Sequence, residues 1–279
     1  MIFGISHLVK IGVFFAILTA LLLFVLVNTK GRDLIFYPLG SSQGNWEVVK
    51  YGGFEECSFT NAQGDLLHGW FFPCKESKLV MLWCGTTIGN KSLHFDQARL
   101  FQYLGMSVFI FDYSSYRQSK GIATEVVFYG DALAAYEYLI QKKEVLPSQI
   151  VLYGKSLSGA VAIHLANKCP QAKALVVEST PLSVSALMKQ NFTHDLPPKW
   201  LASQFACLET IATVQIPTLI IHGQQDQVVP FADAEKLFQK CQAKKLLLTI
   251  PAGKHNDGYV AYGLAYFKKI HQFISELPN

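Results

Sequence analysis

The rhythm of apolar positions along this 279-residue chain changes twice. From Ile11 to Val27 the run IGVFFAILTALLLFVLV carries no charge, with Gly12 and Thr19 as its interruptions. A bilayer core needs about 20 largely apolar residues, with roughly 17 as the lower limit. Leu8 and Val9 extend the run, and Lys10 can snorkel to the interface. Short segments of partial alternation follow at Trp46–Tyr51, Cys57–Thr60 and Leu66–Phe72, broken by Gly52-Gly53 and by Asn61-Ala62-Gln63-Gly64-Asp65. Alternation bounded by turn residues predicts strands, here an antiparallel opening meander. From Leu79 continuous apolar runs take over, at Leu79–Trp83, Val108–Phe111, Ile150–Tyr153, Ala174–Val177, Thr218–Ile221 and Lys245–Ile250. Strands apolar on both faces belong in a parallel sheet covered on both sides.

Between these runs the pattern predicts helices over Ser92–Leu104, Glu125–Gln141, Leu157–Asn167 and Phe231–Cys241, and a last amphipathic stretch over Tyr262–Ser275. The alternation defines the fold class as α/β, with a mostly parallel, doubly wound sheet. It lapses between Pro181 and Pro217, where a short, partly helical insert fits as a small lid, about residues 181–216. Residues 1–32 are thus expected to form a membrane anchor and residues 33–279 one catalytic-sized domain, with no repeat, low-complexity tract or long linker.

A cleaved signal peptide would want a shorter apolar region and a small-residue cleavage site. Asn28-Thr29-Lys30-Gly31-Arg32 offers none, so an uncleaved single-pass helix is the expectation. Lys10 and the amino terminus on one side nearly balance Lys30 and Arg32 on the other, which leaves the membrane side open with a slight tilt toward a cytoplasmic domain. Charged residues make up only 16% of the chain, against about a quarter in ordinary soluble domains. The net charge of +4 is small and dispersed, which argues against a nucleic-acid partner. Six widely spaced cysteines without a C-x-x-C pair read as buried free thiols. Asn90 and Asn191 match the glycosylation pattern, which matters only in a eukaryotic secretory compartment.

Chemistry enters at Gly154-Lys155-Ser156-Leu157-Ser158-Gly159, directly after the run Ile150–Tyr153 and before the small residues Ala160-Val161-Ala162. A nucleophile elbow needs a strand, a strained serine and a helix with small neighbours, so that the Oγ stays exposed. G-x-S alone is a common turn; the strand before it and the helix after it make the catalytic reading the stronger one. Ser158 stands where the usual motif has glycine, and it fits if its φ is negative.

A serine hydroxyl needs a base, and the base needs a group that fixes its tautomer. In elbow enzymes both follow the serine in chain order, acid before base. His164 lies in the helix after the elbow, His222 ends a strand before any suitable acid, and His271 sits in a helical pattern. His255 stands in the loop Pro251–Asp257, just after the last predicted strand. Parallel sheets place their functional residues on such carboxyl-edge loops. For the acid, Asp226 lies on the loop His222–Pro230 after the strand Thr218–Ile221. A turn or cap aspartate is its bland reading. Glu178, at the end of the preceding strand, is the runner-up, while Asp257 is too close to His255 to face its ring. The oxyanion hole should use the backbone N–H of Leu157 and one from Cys84–Asn90, with Thr86 the second donor. An ordinary glycine turn is the alternative for that loop.

Taken together, these residues resemble the abhydrolase-domain serine hydrolases of the α/β-hydrolase superfamily that carry one N-terminal membrane anchor. Leu34-Ile35-Phe36-Tyr37-Pro38 looks like the motif that opens their catalytic domain. Asp112–Ser119 is similar to their D-Y-R-G-Y-G-x-S loop, and His222–Pro230 fits H-G-x-x-D-x-x-V-P. The group includes eukaryotic membrane-bound and bacterial hydrolases, some of them depalmitoylating. The resemblance implies a triad of Ser156, Asp226 and His255, with no metal or organic cofactor. Cys84 for histidine, Ser158 for glycine and Ser114-Ser115 for Arg-Gly are departures, and none removes a triad side chain. The expected activity is hydrolysis of an ester or thioester, on acyl lipids or acylated proteins. The apolar insert residues Leu182, Leu187, Met188, Phe192, Leu196, Trp200, Leu201 and Phe205 are candidates for an acyl groove, although packing explains most of them. A catalytically silent membrane-tethered binding protein and a peptidase are the alternatives. A peptidase normally needs extra substrate-positioning structure, for which this chain has little room.

Overall fold

A computed structural model of the chain describes residues 37–38, 44–191 and 204–278. The apolar run Ile11–Val27 and the insert residues Phe192, Leu196, Trp200 and Leu201 lie outside the described residues. Among the described residues no helix is long and apolar enough to cross a membrane.

Eight strands form one sheet: β1 (Glu55–Thr60), β2 (Leu66–Phe72), β3 (Val80–Trp83), β4 (Ser107–Asp112), β5 (Ile150–Lys155), β6 (Ala174–Glu178), β7 (Thr218–Gly223) and β8 (Lys245–Ile250). Their spatial order is β1-β2-β4-β3-β5-β6-β7-β8. β1 pairs antiparallel with β2, and β2 antiparallel with β4. From β4 to β8 every pairing is parallel. The central strands β3 to β7 are buried along nearly their whole length, as continuous apolar runs require.

Helices α1 (Phe95–Tyr103), α2 (Glu125–Lys143), α3 (Ser158–Lys168), α4 (Val184–Asn191), α5 (Cys207–Thr210), α6 (Phe231–Lys240), α7 (Gly258–Tyr262) and α8 (Leu264–Ser275) connect and cover the sheet. Thr124 caps α2 by accepting from the Val127 N–H, which meets one of the orphan donors of the first turn. One face of the sheet forms a core with α1 and α8, in which Trp83, Val108, Tyr153 and Ile221 meet Phe101, Tyr266, Phe267 and Ile270. The parallel arrangement matters for chemistry because the loops after β3, β5, β7 and β8 all emerge at the carboxyl edge.

One expected strand is not a strand. Trp46–Tyr51 forms a tight 3-10 helix. An alternation of six residues is too short to exclude a single helical turn, and with β1 at the sheet edge the segment closes its hydrogen bonds locally. The insert between β6 and β7 is partly helical, as its pattern suggests, with α4, α5 and a 3-10 turn at Ile211–Thr213 among the described residues. The six cysteines form no disulfide. Asn90 is fully buried and caps a 3-10 helix at Lys91–His94, so the folded chain does not present it to a glycosylating enzyme.

Candidate active site

β5 ends in the elbow. Ser156 takes φ +54°, a left-handed conformation that costs a non-glycine residue of order 1–3 kcal/mol and persists where surrounding structure imposes it. Here the imposition is explicit, because the Ser156 N–H donates to the Glu178 carbonyl of β6 at 2.8 Å. The glycines on either side are forced by contact. A Cβ on Gly154 would lie 2.4 Å from the Ser158 carbonyl, and one on Gly159 would lie 1.9 Å from Thr180 Oγ1. Ser158 is the first residue of α3 and is not among the residues with positive φ, so serine is accommodated where the usual motif has glycine. Its hydroxyl is put to use. Oγ lies 2.7 Å from the Lys155 carbonyl and 3.1 Å from the Gly85 carbonyl, which ties the elbow to the loop after β3.

The loops after β7 and β8 carry Asp226 and His255, and they are laced together. The Gln224 N–H donates to Ile250 O at 3.0 Å and the Gln225 N–H to Gly253 O at 2.9 Å. Gly223 and Gly253 are in van der Waals contact, which leaves no room for a side chain between them. The result is a continuous chain of hydrogen-bonding groups. His255 Nδ1 lies 2.9 Å from Asp226 Oδ2, and His255 Nε2 lies 3.0 Å from Ser156 Oγ. The structure therefore brings together the three side chains expected from sequence.

Asp226 accepts through Oδ1 from the Val228 and Val229 N–H groups, each at 2.9 Å. Burial works against its charge, but hydrogen bonds from His222 and His255 outweigh it and hold the carboxyl well below the usual carboxylate range. Asp226 is thus an anion within hydrogen-bond distance of the His255 ring. His222, set aside as structural from sequence, lies 3.4 Å from Asp226 Oδ2 and 2.9 Å from the Val229 carbonyl through the same Nε2. It shapes the acid's surroundings without approaching the serine.

Glu178, the other candidate acid, faces elsewhere. It pairs with Lys155 Nζ at 3.1 Å and accepts from the Tyr153 hydroxyl and, at 2.5 Å, from the Tyr266 hydroxyl. Burial penalises its charge, yet Lys155 and the two tyrosines hold its pKa down.

Leu157 follows the serine at the head of α3, and Thr86, on the β3 loop, lines the same cavity as Ser156. Among the described residues neither backbone N–H donates to another protein group. The β3 loop is held from behind by the Asp112–Ser119 motif. Tyr113 donates to the Cys84 carbonyl at 2.5 Å and Tyr116 to the Thr87 carbonyl at 2.6 Å. Asp112 forms a buried ion pair with Lys91 at 2.5 Å. Ser114 is buried against Asp131 and Asn61. Ser115 (φ +74°) and Arg117 (φ +50°) take left-handed conformations at the two positions where the resembled motif carries glycine. Burial pushes the Cys84 thiol far up, so it stands in the wall as a small inert side chain.

A cavity of about 330 Å³ opens beside Ser156 and His255. Thr86, Tyr259 and the exposed Ile88 and Leu93 line it, and the buried Trp83, Gln97 and Lys155, with His94 stacked on Trp83, mark its inner end. No described residue of the insert lines it.

Fold and site together define the α/β-hydrolase class. The sequence profile of the prolyl oligopeptidase family matches residues 114–278, more than half of the chain, and the chain belongs to that family. It is a hydrolase of the α/β-hydrolase type. An uncharacterized protein of Mycobacterium tuberculosis is 31% identical over 247 residues, which cover 88% of this chain and 87% of that one. Protein bem46 of Schizosaccharomyces pombe is 31% identical over 207 residues, 72% of this chain and 69% of that one. Among solved structures, an esterase of Pyrococcus furiosus superposes with a TM-score of 0.70 at 18% identity, over 86% of this chain and 98% of the esterase. That last likeness is one of fold.

Proposed function

We propose that the chain is a serine hydrolase that cleaves ester or thioester bonds with Ser156 as nucleophile, His255 as base and Asp226 as its orienting acid. The observation that carries this reading is the chain of contacts from Asp226 through His255 to Ser156, at 2.9 and 3.0 Å, opening on a cavity. With its Nδ1–H directed at the Asp226 carboxylate, His255 presents an unprotonated Nε2 to the Ser156 hydroxyl. Ser156 Oγ attacks the carbonyl carbon as Nε2 takes its proton, and the Thr86 and Leu157 N–H groups hold the oxyanion. The carbonyl reforms as the leaving group departs with the proton from Nε2. Water then repeats the sequence on the acyl-enzyme, activated by the same nitrogen. These steps need no cofactor.

The substrate class proposed is an acyl ester or thioester, on a lipid or an acylated protein. Ile88, Leu93 and Tyr259 support it as an apolar side of the cavity. The insert does not, since Phe205 is fully buried and Leu182 and Leu187 are half-buried outside the cavity lining. The apolar run Ile11–Val27 is proposed as a single-pass anchor. Retention of the full chain in membranes after alkaline carbonate washing is the expected result, and recovery of a mature chain beginning near Asn28 would overturn it.

A serine-reactive fluorophosphonate probe tests the enzyme reading. The folded wild-type chain should label and Ser156→Ala should not; a folded wild type that never labels would favour the silent binding protein. Membership of the prolyl oligopeptidase family keeps a peptidase as the second reading. Matched acyl p-nitrophenyl esters and p-nitroanilides decide between them, with hydrolysis of the ester alone expected.

A further inference from the structure

The inner end of the cavity beside Ser156 has a composition that hydrolysis itself does not use. Lys155 adjoins the nucleophile in sequence and its side chain is only 9% exposed. A lysine so deeply buried is expensive unless its charge is matched, and Glu178 at 3.1 Å provides the match. An ammonium has three N–H donors, and the Glu178 carboxylate is its one protein partner among the described residues. Two donors are left over in a place where desolvation makes each costly to leave unused.

Two further polar side chains from the α1 side share this end. Gln97 donates to the Tyr266 hydroxyl at 3.4 Å, and Tyr266 in turn donates to Glu178, which places Gln97, Glu178 and Lys155 in one connected group. His94 leans on the Trp83 ring with centroids 4.8 Å apart, and among the described residues neither of its ring nitrogens bonds another protein group. Burial first, and then the nearby Lys155 charge, lower its pKa to about 4, so it is a neutral imidazole with one donor and one acceptor at working pH. Each of these three side chains lines the cavity that Ser156 and His255 also line.

A cavity meant for a plain hydrocarbon would place apolar groups here. We propose that Lys155, His94 and Gln97 form a polar subsite that recognises an uncharged oxygen acceptor, a carbonyl or hydroxyl, on the acyl part of the substrate. Lys155 is the specificity-determining donor. The uncharged choice follows from Glu178, whose carboxylate cancels the ammonium charge and would repel an anion. The acyl assignment follows from the chemistry. The leaving group takes its proton from His255 and departs, whereas the acyl group stays attached to Ser156 through both steps, so donors beside Ser156 can hold an oxygen on it throughout. The ester or thioester therefore carries an oxygen a few bonds from the scissile carbonyl as well as an apolar portion along Ile88 and Leu93.

The inference rests on the hydrolase reading, and its test separates the two. The full chain is assayed on p-nitrophenyl hexanoate and p-nitrophenyl 5-oxohexanoate, which share length and leaving group. The kcat/KM ratio should favour the oxo ester by about tenfold or more, the worth of one hydrogen bond from a charged donor. Lys155→Met should bring the ratio to near one. Because that variant strands the Glu178 charge, the paired variant Lys155→Met with Glu178→Gln is measured too, and the ratio should again be near one. A wild-type ratio near one, a preserved ratio in either folded variant, or loss of preference in the single variant but not the pair would each overturn the subsite. Absence of probe labelling and of turnover on both esters would instead overturn the hydrolase reading, and this one with it.

Discussion

Replacing Asp226 by asparagine isolates what the acid contributes. The two side chains have nearly the same shape, so the amide oxygen can still accept from the Val228 and Val229 N–H groups at the Oδ1 position. At the Oδ2 position, 2.9 Å from His255 Nδ1, an NH2 group now stands. It donates, so His255 must offer a lone pair at Nδ1 and carry its proton on Nε2. That proton points at Ser156 Oγ, 3.0 Å away, and the base can no longer take the serine's hydrogen. The same tautomer trap in other Ser-His-Asp triads lowers kcat by about ten-thousandfold, or about 5.5 kcal/mol of barrier. Asp226 is buried and does not line the cavity, so KM should change little. The assay is steady-state hydrolysis of a p-nitrophenyl ester, with circular dichroism to show that the variant is folded. A folded Asp226→Asn protein that keeps kcat within tenfold of wild type would refute the argument. In that event a parallel Glu178→Gln variant would be expected to carry the loss.

The site's scaffolding gives further expectations. Tyr113→Phe leaves the buried Cys84 carbonyl without its 2.5 Å donor while keeping the stack on Phe128, and should cost about 1–3 kcal/mol in urea denaturation. Its kcat should fall as the β3 loop slackens; an unchanged midpoint and rate would show that the contact is idle. Gly223→Ala puts a Cβ 2.2 Å from the Gly253 carbonyl, so the β7 and β8 loops must part. Loss of more than about tenfold in kcat, from a misplaced near-attack geometry, is expected and is read from the same ester assay. The Asp226 carboxyl has a folded-state pKa below its unfolded value of about 3.9. Its contribution to stability is therefore complete above that value and is lost as pH falls below it toward the folded pKa. Urea midpoints measured down through this window should fall more steeply for wild type than for Asp226→Asn, and parallel profiles would refute the linkage.

The sequence by itself determined the sheet's central strands, because a strand covered on both faces must be apolar throughout, and such runs have no other easy reading. It determined the elbow, since only small residues let α3 start so close to β5, and Gly154 and Gly159 stand in that contact. It also supplied His255 and Asp226, because chain order and carboxyl-edge loops leave few candidates. Tertiary structure added what separates Asp226, which the sequence already favours, from its runner-up Glu178: the first lies 2.9 Å from His255 Nδ1 and the second pairs with Lys155. Glu178 ends β6, whereas Asp226 lies beyond the end of β7, on a loop that the Gly223 and Gly253 contacts hold against the loop carrying His255. It also turned Trp46–Tyr51 into a tight helix, since a six-residue alternation does not record whether a partner strand is at hand. The cavity wall was equally out of reach. His94 and Gln97 precede the nucleophile by some sixty residues and show no pattern of their own. They reach Lys155 because β3, the strand before α1, lies beside β5 in the sheet, and strand order is a property of long-range packing that local rhythm does not encode.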